Sequence, residues 1–173
     1  RPIYGREITM RRREREITEE SAIRDILDRA KILHLGLADG DDPYVVPMNY
    51  GYTLEDGKLT FYLHGANEGY KYEVIRKNPK ISFSVECDVE PFAGRIACQY
   101  GTTYASVLGR GVAHLVEEPR EKMQALTTLM KTQTGGDFTF TEQLVSIVGV
   151  IRLDITEFSA KRRPMPGAEH SEA

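Results

Sequence analysis

Cysteine is scarce: Cys87 and Cys98 are the only two in 173 residues. They form no C-x-x-C pair and no zinc-type spacing, which excludes the common thiol-redox and structural-zinc motifs. Two reduced thiols in a cytoplasmic protein are the expectation, since disulfides belong to secreted chains and no secretion signal is visible. The opening "RPIYGREITMRRRERE" lacks the apolar core of a signal peptide. No run of about 18 apolar residues is present, so a helical membrane span is not expected. Charge of one sign is also lacking. The formal net charge of -3 gives no general attraction to nucleic acid or anionic membranes. Arg11, Arg12, Arg13 and Arg15 cluster, but Glu14 and Glu16 interrupt them and no aromatic residue is interleaved. They read as a solvated arm. No internal repeat is found.

What remains fits an ordinary soluble domain, with 40% hydrophobic and 28% charged residues. Residues 1–17 read as an N-terminal arm, 18–160 as one domain, and 161–173, without periodicity, as a disordered tail. Met10 looks like an initiator, which makes residues 1–9 a leader or tag. Thr18 is the expected cap of a helix over 19–30, with an apolar stripe of Ala22, Ile23, Ile26, Leu27 and Ala30. "KILHLGLA", "PYVVPMNYGYT" and "KLTFYLH" read as strands, with Pro47 marking an edge or bulge and Asp56-Gly57 a hairpin turn. "GYKYEVIRK" reads as a short helix stopped by Asn78-Pro79. "KISFSVE", "TTYASVLGRGVAHLVE" and "LVSIVGVIRLDITEFSAK" give three more strands, the second bent or bulged at its glycines. A loop is expected over 88–99 and a helix over 119–133 with Pro119 at its first position. The fold class is α+β, mainly β. Six antiparallel strands with flanking helices would hide their edges best by closing into a barrel.

One turn stands out. In "FYLHGANEGYKYEVIRKNP" a strand ends at His64, Gly65 and Ala66, and a helix opens after Gly69 with Lys71 in its first turn. Glycines allow close backbone approach, and the first N–H groups of a helix favour an anion. A lysine there opposes the helix dipole unless an anion is bound. This is not a Walker A loop, because no Ser or Thr follows the lysine and the spacing differs. Phosphate binding and an ordinary strand-to-helix turn both remain open on these residues alone. Asn49, between apolar neighbours, needs hydrogen-bond partners if buried. Tyr44, Tyr50 and Tyr52 suit ordinary strand positions. His34 and His114 sit within strands and read as structural. Cys98 has no visible base partner.

"FYLHGA", Gly-x-Lys, "RKNP" and "KISFSVE", together with "MRRREREIT", "PYVVPMNYGY" and "CQYGTTYASVLGRG", resemble in order the FMN-binding split-barrel superfamily. That group includes pyridoxamine 5′-phosphate oxidase, and the closer similarity is to flavoproteins related to 5-nitroimidazole resistance. The resemblance implies a six-stranded antiparallel split β-barrel that dimerises with FMN at the subunit interface. Its Ser-Arg-Lys phosphate element falls on Gly69, Tyr70 and Lys71, retaining only the lysine, with His64 or backbone N–H groups in place of the lost side chains. Pro47, Met48, Asn49 and Tyr50 correspond to the strand lining the isoalloxazine ring. Tyr104 and Ser106 match a Tyr-x-Ser-Val element near the flavin. The implied activity is FMN-dependent reduction of small nitroaromatic or quinone-like compounds, with no metal site and no assigned acid or base. The alternatives are a non-catalytic flavin-binding dimeric module or sensor, or a haem- or deazaflavin-binding member of the same fold.

Overall fold

The computed structural model describes residues 10–167. The readings of residues 1–9 as a leader and of 168–173 as disordered lie outside the described residues. The chain runs β1 (Glu16–Ile17), α1 (Glu20–Ala30), β2 (Ile32–Asp39), β3 (Asp42–Asn49), β4 (Gly51–Glu55), β5 (Lys58–Gly65), α2 (Tyr70–Lys77), β6 (Lys80–Phe92), β7 (Gly101–Val116), α3 (Pro119–Thr134), α4 (Glu142–Val145) and β8 (Gly149–Arg163). The sheet is antiparallel in the order β3-β2-β6-β7-β8-β5-β4, with β1 added on β8. Its two outer strands, β3 and β4, are successive halves of one segment, separated only by Tyr50. The sheet therefore closes on itself, and a seam opens where β3 leaves β5. Counting β3 and β4 as one and setting the short β1 aside leaves the six expected barrel strands. This is a split β-barrel of the α+β class.

Alternation fills the interior. Leu33, Leu35 and Leu37 on β2, Leu59, Phe61 and Leu63 on β5, and Ile151 and Leu153 on β8 are all buried. In each strand every second side chain points to the same face. Ile23, Ile26 and Leu27 of α1 plug one end of the barrel. Arg29 of α1 pairs with Asp25 and with Asp88 on β6, and Arg162 on β8 also reaches Asp88. Hydrogen bonds from Arg29 are the main reason that Asp88 and Asp25 sit below the usual carboxylate range. These groups are part-exposed, so the pairs orient α1 more than they stabilise it. Tyr50 is fully buried and its hydroxyl donates to the Leu27 carbonyl. Tyr50→Phe is expected to lower stability by about 1 kcal/mol, read from urea unfolding. No loss would mean that this bond adds nothing to folding.

Several boundaries differ from the sequence reading. Glu19, not Thr18, precedes α1, and no side chain caps it. Glu118 does cap α3, its carboxylate accepting from the Arg120 and Glu121 N–H groups at 3.0 and 2.8 Å. The expected loop over 88–99 begins late, because β6 continues through a bulge at 87–90 to Phe92. Thr103 holds that bulge: its hydroxyl donates to the Asp88 carbonyl at 2.6 Å and accepts from the Glu90 N–H at 3.1 Å. The strand expected from Leu144 starts only at Gly149, since Thr141 caps the short α4 there. The arm is not simply solvated: Glu16 and Ile17 pair with Lys161 and Ala160. Residues 161–163 belong to β8, not to the tail. The β7–β8 register shifts between Arg110 and Gly111, but the extra residue is Thr156 on β8, so the bulge expected at the β7 glycines falls on the partner strand. Both cysteines are free thiols.

Candidate functional site

β5 ends at Gly65, which pairs with Gly149 at the start of β8. Two paired glycines leave a gap in side-chain cover, and α2 fills it from below. A Cβ added at Gly65 would lie 3.4 Å from Lys71 Nζ and 3.6 Å from the Tyr72 hydroxyl. A Cβ on Gly149 would overlap the Tyr72 hydroxyl and the Ala66 carbonyl. The half-buried Lys71 thus folds back against the strand end, with its ammonium 5.2 Å from the centre of the Tyr72 ring. Among the described residues it has no carboxylate partner. Gly69 precedes α2 at φ 133°, a conformation that suits glycine alone, and no side chain caps the helix. Of the first four α2 N–H groups, those of Tyr72 and Glu73 donate to the Gly69 carbonyl, which leaves Tyr70 and Lys71 without an acceptor within the helix. The corner therefore gathers donors and one cation, which is what an anion with several oxygens needs.

Not every residue read from the sequence lies here. Successive strand residues face opposite sides, so His64 projects away from the face of Gly65 that Lys71 and Tyr72 occupy. It shares instead the face of Tyr62, which packs beside Val150 under α3. By that alternation His64 lies on the face of β5 opposite Lys71. Tyr70 does not point at the corner either. Its hydroxyl donates to Asp39 at 2.9 Å, and its ring meets Tyr44 edge-on at 5.0 Å. β3 touches β5, and the pairing of Gly51 with Tyr62 carries the preceding segment from Pro47 to Tyr50 toward this end of β5. Pro47 and Asn49 face outward, while Met48 and Tyr50 face the core. Tyr50 leaves the candidate set: its side chain is sealed and its carbonyl accepts from Gln133 Nε2 at 2.8 Å. Gly65, Ala66, Gly69 and Lys71 are brought together.

Tyr104 and Ser106 lie elsewhere. Tyr104 pairs with Arg163 on β8, whereas Gly65 pairs with Gly149. The two places are on the order of 40 Å apart along that strand. Tyr104 lines a cleft of about 340 Å³ with Met10, Arg11, Arg12, Arg15 and Lys161. Arg15 donates to its hydroxyl at 3.4 Å and the Lys161 ammonium lies 5.4 Å from its ring centre. Burial raises the Tyr104 pKa, but the Arg15 hydrogen bond and the two nearby cations outweigh it and hold the phenol below its ordinary value. Sequence reasoning missed Tyr72, which looks like one more apolar residue of a short helix. It missed Gly149 too, whose only signal was a glycine opening a β-branched run. Among the described residues no group of three or more His, Cys, Asp or Glu side chains is placed to hold a metal. None of the helices described is long and apolar enough to cross a membrane.

A closed antiparallel sheet with an anion-ready strand-to-helix corner defines a class, the split-barrel proteins. Within it, the chain belongs to the pyridoxamine 5′-phosphate oxidase family, whose profile matches residues 19–162. Among solved structures it resembles a candidate 5-nitroimidazole antibiotic resistance protein from Bacteroides thetaiotaomicron, with 28% identity, a TM-score of 0.71, and coverage of 85% of this chain and 86% of that one. The flavocytochrome Anf3 of Azotobacter vinelandii shares the fold at 20% identity and a TM-score of 0.72, over 91% of this chain and 73% of that one. So does an FAD- and haem-binding protein of Mycobacterium smegmatis, at 16% identity and a TM-score of 0.73, over 87% of this chain and 74% of that one. No curated protein matches the sequence.

Proposed function

We propose that this chain is a flavin-binding oxidoreductase that takes its flavin as FMN. The observation that carries this is the half-buried Lys71, folded against Gly65 at an uncapped helix start, without a carboxylate partner among the described residues. An FMN phosphate suits that corner: α2 N–H groups and the ammonium would hold it, and the open space around Gly69 gives it room. Asn49 and the backbone from Pro47 to Met48 lie on the adjoining strand, where they can meet the polar edge of the ring. Tyr104 and Ser106 are too distant to serve the same flavin from the same chain. A second copy would bring them to it, so the reading includes a homodimer with two interfacial sites. The bound cofactor would supply the electron chemistry. This chain's own residues bind, orient and shape access. The acceptors proposed are small nitroaromatic or quinone-like compounds, supported by the 28% identity to the candidate nitroimidazole-resistance protein.

Reconstitution with FMN followed by a visible spectrum tests the reading. A yellow protein that retains FMN through gel filtration, eluting as a dimer, is the expected result. A colourless protein with no measurable FMN affinity would end it. One observation favours a second reading, a flavin-binding module without turnover. Tyr70 stands where the oxidase branch has its arginine, and it is committed to Asp39. Rapid reduction of the bound flavin by NAD(P)H, with turnover on an acceptor, would exclude the module.

A further inference from the structure

The side chain of Tyr72 is 2% exposed, and its hydroxyl is the one buried side-chain polar atom among the described residues that has no hydrogen-bond partner. A buried donor without an acceptor destabilises a fold, and phenylalanine would fill the same space without that penalty. The hydroxyl is also not placed at random. It lies against the paired glycines Gly65 and Gly149, on the same side of β5 as the Lys71 ammonium. We propose that the Tyr72 hydroxyl is a hydrogen-bond donor held for an oxygen of the phosphate ester that docks at Lys71 and the α2 N-terminus. This rests on the flavin reading above and adds a residue to it. Tyr72 would replace, from beneath the helix, side-chain donors that are absent at Gly69 and Tyr70.

The chemistry is consistent on each side. Burial raises the phenol's pKa, so the group keeps its proton at neutral pH and donates. Lys71, Tyr72 and the helix N–H groups are all donors, and a phosphate monoester has oxygens enough for each. The hydroxyl is sealed beneath the two glycines and the Ala66 carbonyl, so the proposal requires the Ala66 turn to move aside for the phosphate oxygen, and a side chain at 149 would block that approach. The proposal therefore makes Tyr72 a determinant of specificity for the phosphorylated flavin over riboflavin, at the expense of stability in the free chain.

The test compares the parent chain with Tyr72→Phe. Flavin fluorescence titrations give affinities for FMN and riboflavin, and thermal unfolding is followed with and without inorganic phosphate. The expected result is a roughly ten-fold loss of FMN affinity, about one hydrogen bond's worth, with riboflavin changed less than about two-fold. In phosphate-free buffer the variant should melt at the same temperature as the parent or higher. Phosphate should raise the melting temperature of the parent more than that of the variant. Unchanged FMN affinity overturns the proposal and leaves the flavin reading intact. So do equal losses for both flavins, which indicate a packing role. A lower melting temperature in phosphate-free buffer overturns it as well, because the hydroxyl then has a partner such as a buried water. If the parent binds neither flavin, the flavin reading fails. The phosphate-dependent melting difference then decides the Tyr72 proposal alone, an equal response in both chains overturning it.

Discussion

Lys71→Ala should bind FMN roughly 10- to 150-fold more weakly than the parent chain, while riboflavin affinity stays nearly constant. The range follows from about 1.5–3 kcal/mol for a hydrogen bond to a charged group. Riboflavin lacks the phosphate, so it reports everything except the interaction being removed. The magnitude depends on placement, and placement here is favourable. A lysine in the first turn of a helix normally faces solvent and opposes the dipole. This one lies back against the end of β5, close enough that a Cβ on Gly65 would meet its ammonium at 3.4 Å. Its removal also leaves the helix N–H groups in place, so binding should weaken rather than vanish. Isothermal titration at fixed ionic strength separates the two flavins. Because the contact is partly exposed, raising salt should narrow the difference between parent and variant. Equal losses for FMN and riboflavin would remove Lys71 from the phosphate site.

The corner was legible in part because its signals are local. Gly69 before a helix, Lys71 in the first turn and Asn78-Pro79 after it all act within one turn of backbone, and α2 spans Tyr70–Lys77 much as the pattern predicts. The strands were legible for the same reason, since alternation is a property of neighbours. What was not legible depends on facing. A strand ending in His64-Gly65 offers two opposite surfaces, and only the fold decides that α2 returns under Gly65 and not under His64. The unpaired hydroxyl of Tyr72 likewise exists only once β8 has brought Gly149 beside Gly65. Tyr50 misled because its neighbours Pro47 and Asn49 do face outward. A period of two puts Tyr50 in the core, but the barrel's interior had first to be identified. The bulge at 87–90 was hidden in the same way, because its stabilising partner, Thr103, comes from the next strand.

Phe61→Ala should cost about 3–5 kcal/mol of folding free energy, the usual range for emptying a buried aromatic site. Phe61 is fully buried on β5, between Tyr52 on β4 and Leu153 on β8 in the sheet register. Its ring packs edge-on against Tyr50 at 5.3 Å and against Phe83 on β6 at 4.8 Å. Those contacts tie together the place where the barrel segment breaks, the plug helix that Tyr50 bonds, and the opposite wall. Alanine would remove both ring contacts and leave a cavity that a closed barrel cannot readily collapse. For a chain of this size the loss converts to a fall in melting temperature of roughly 6–20 °C. Urea unfolding should show a lower midpoint with an unchanged slope, which means that the folded state keeps its compactness. Phe61→Leu, which refills part of the space, should recover more than half of the loss. The proposed flavin corner lies four residues on, at the end of the same strand. Below the variant's transition, its intrinsic FMN affinity should therefore match the parent's, and added FMN should stabilise both chains by the same increment at equal free ligand. A melting temperature within about 2 °C of the parent, equivalent to less than about 1 kcal/mol at this size, would mean that the barrel's stability does not centre on the aromatic cluster of Tyr50, Phe61 and Phe83.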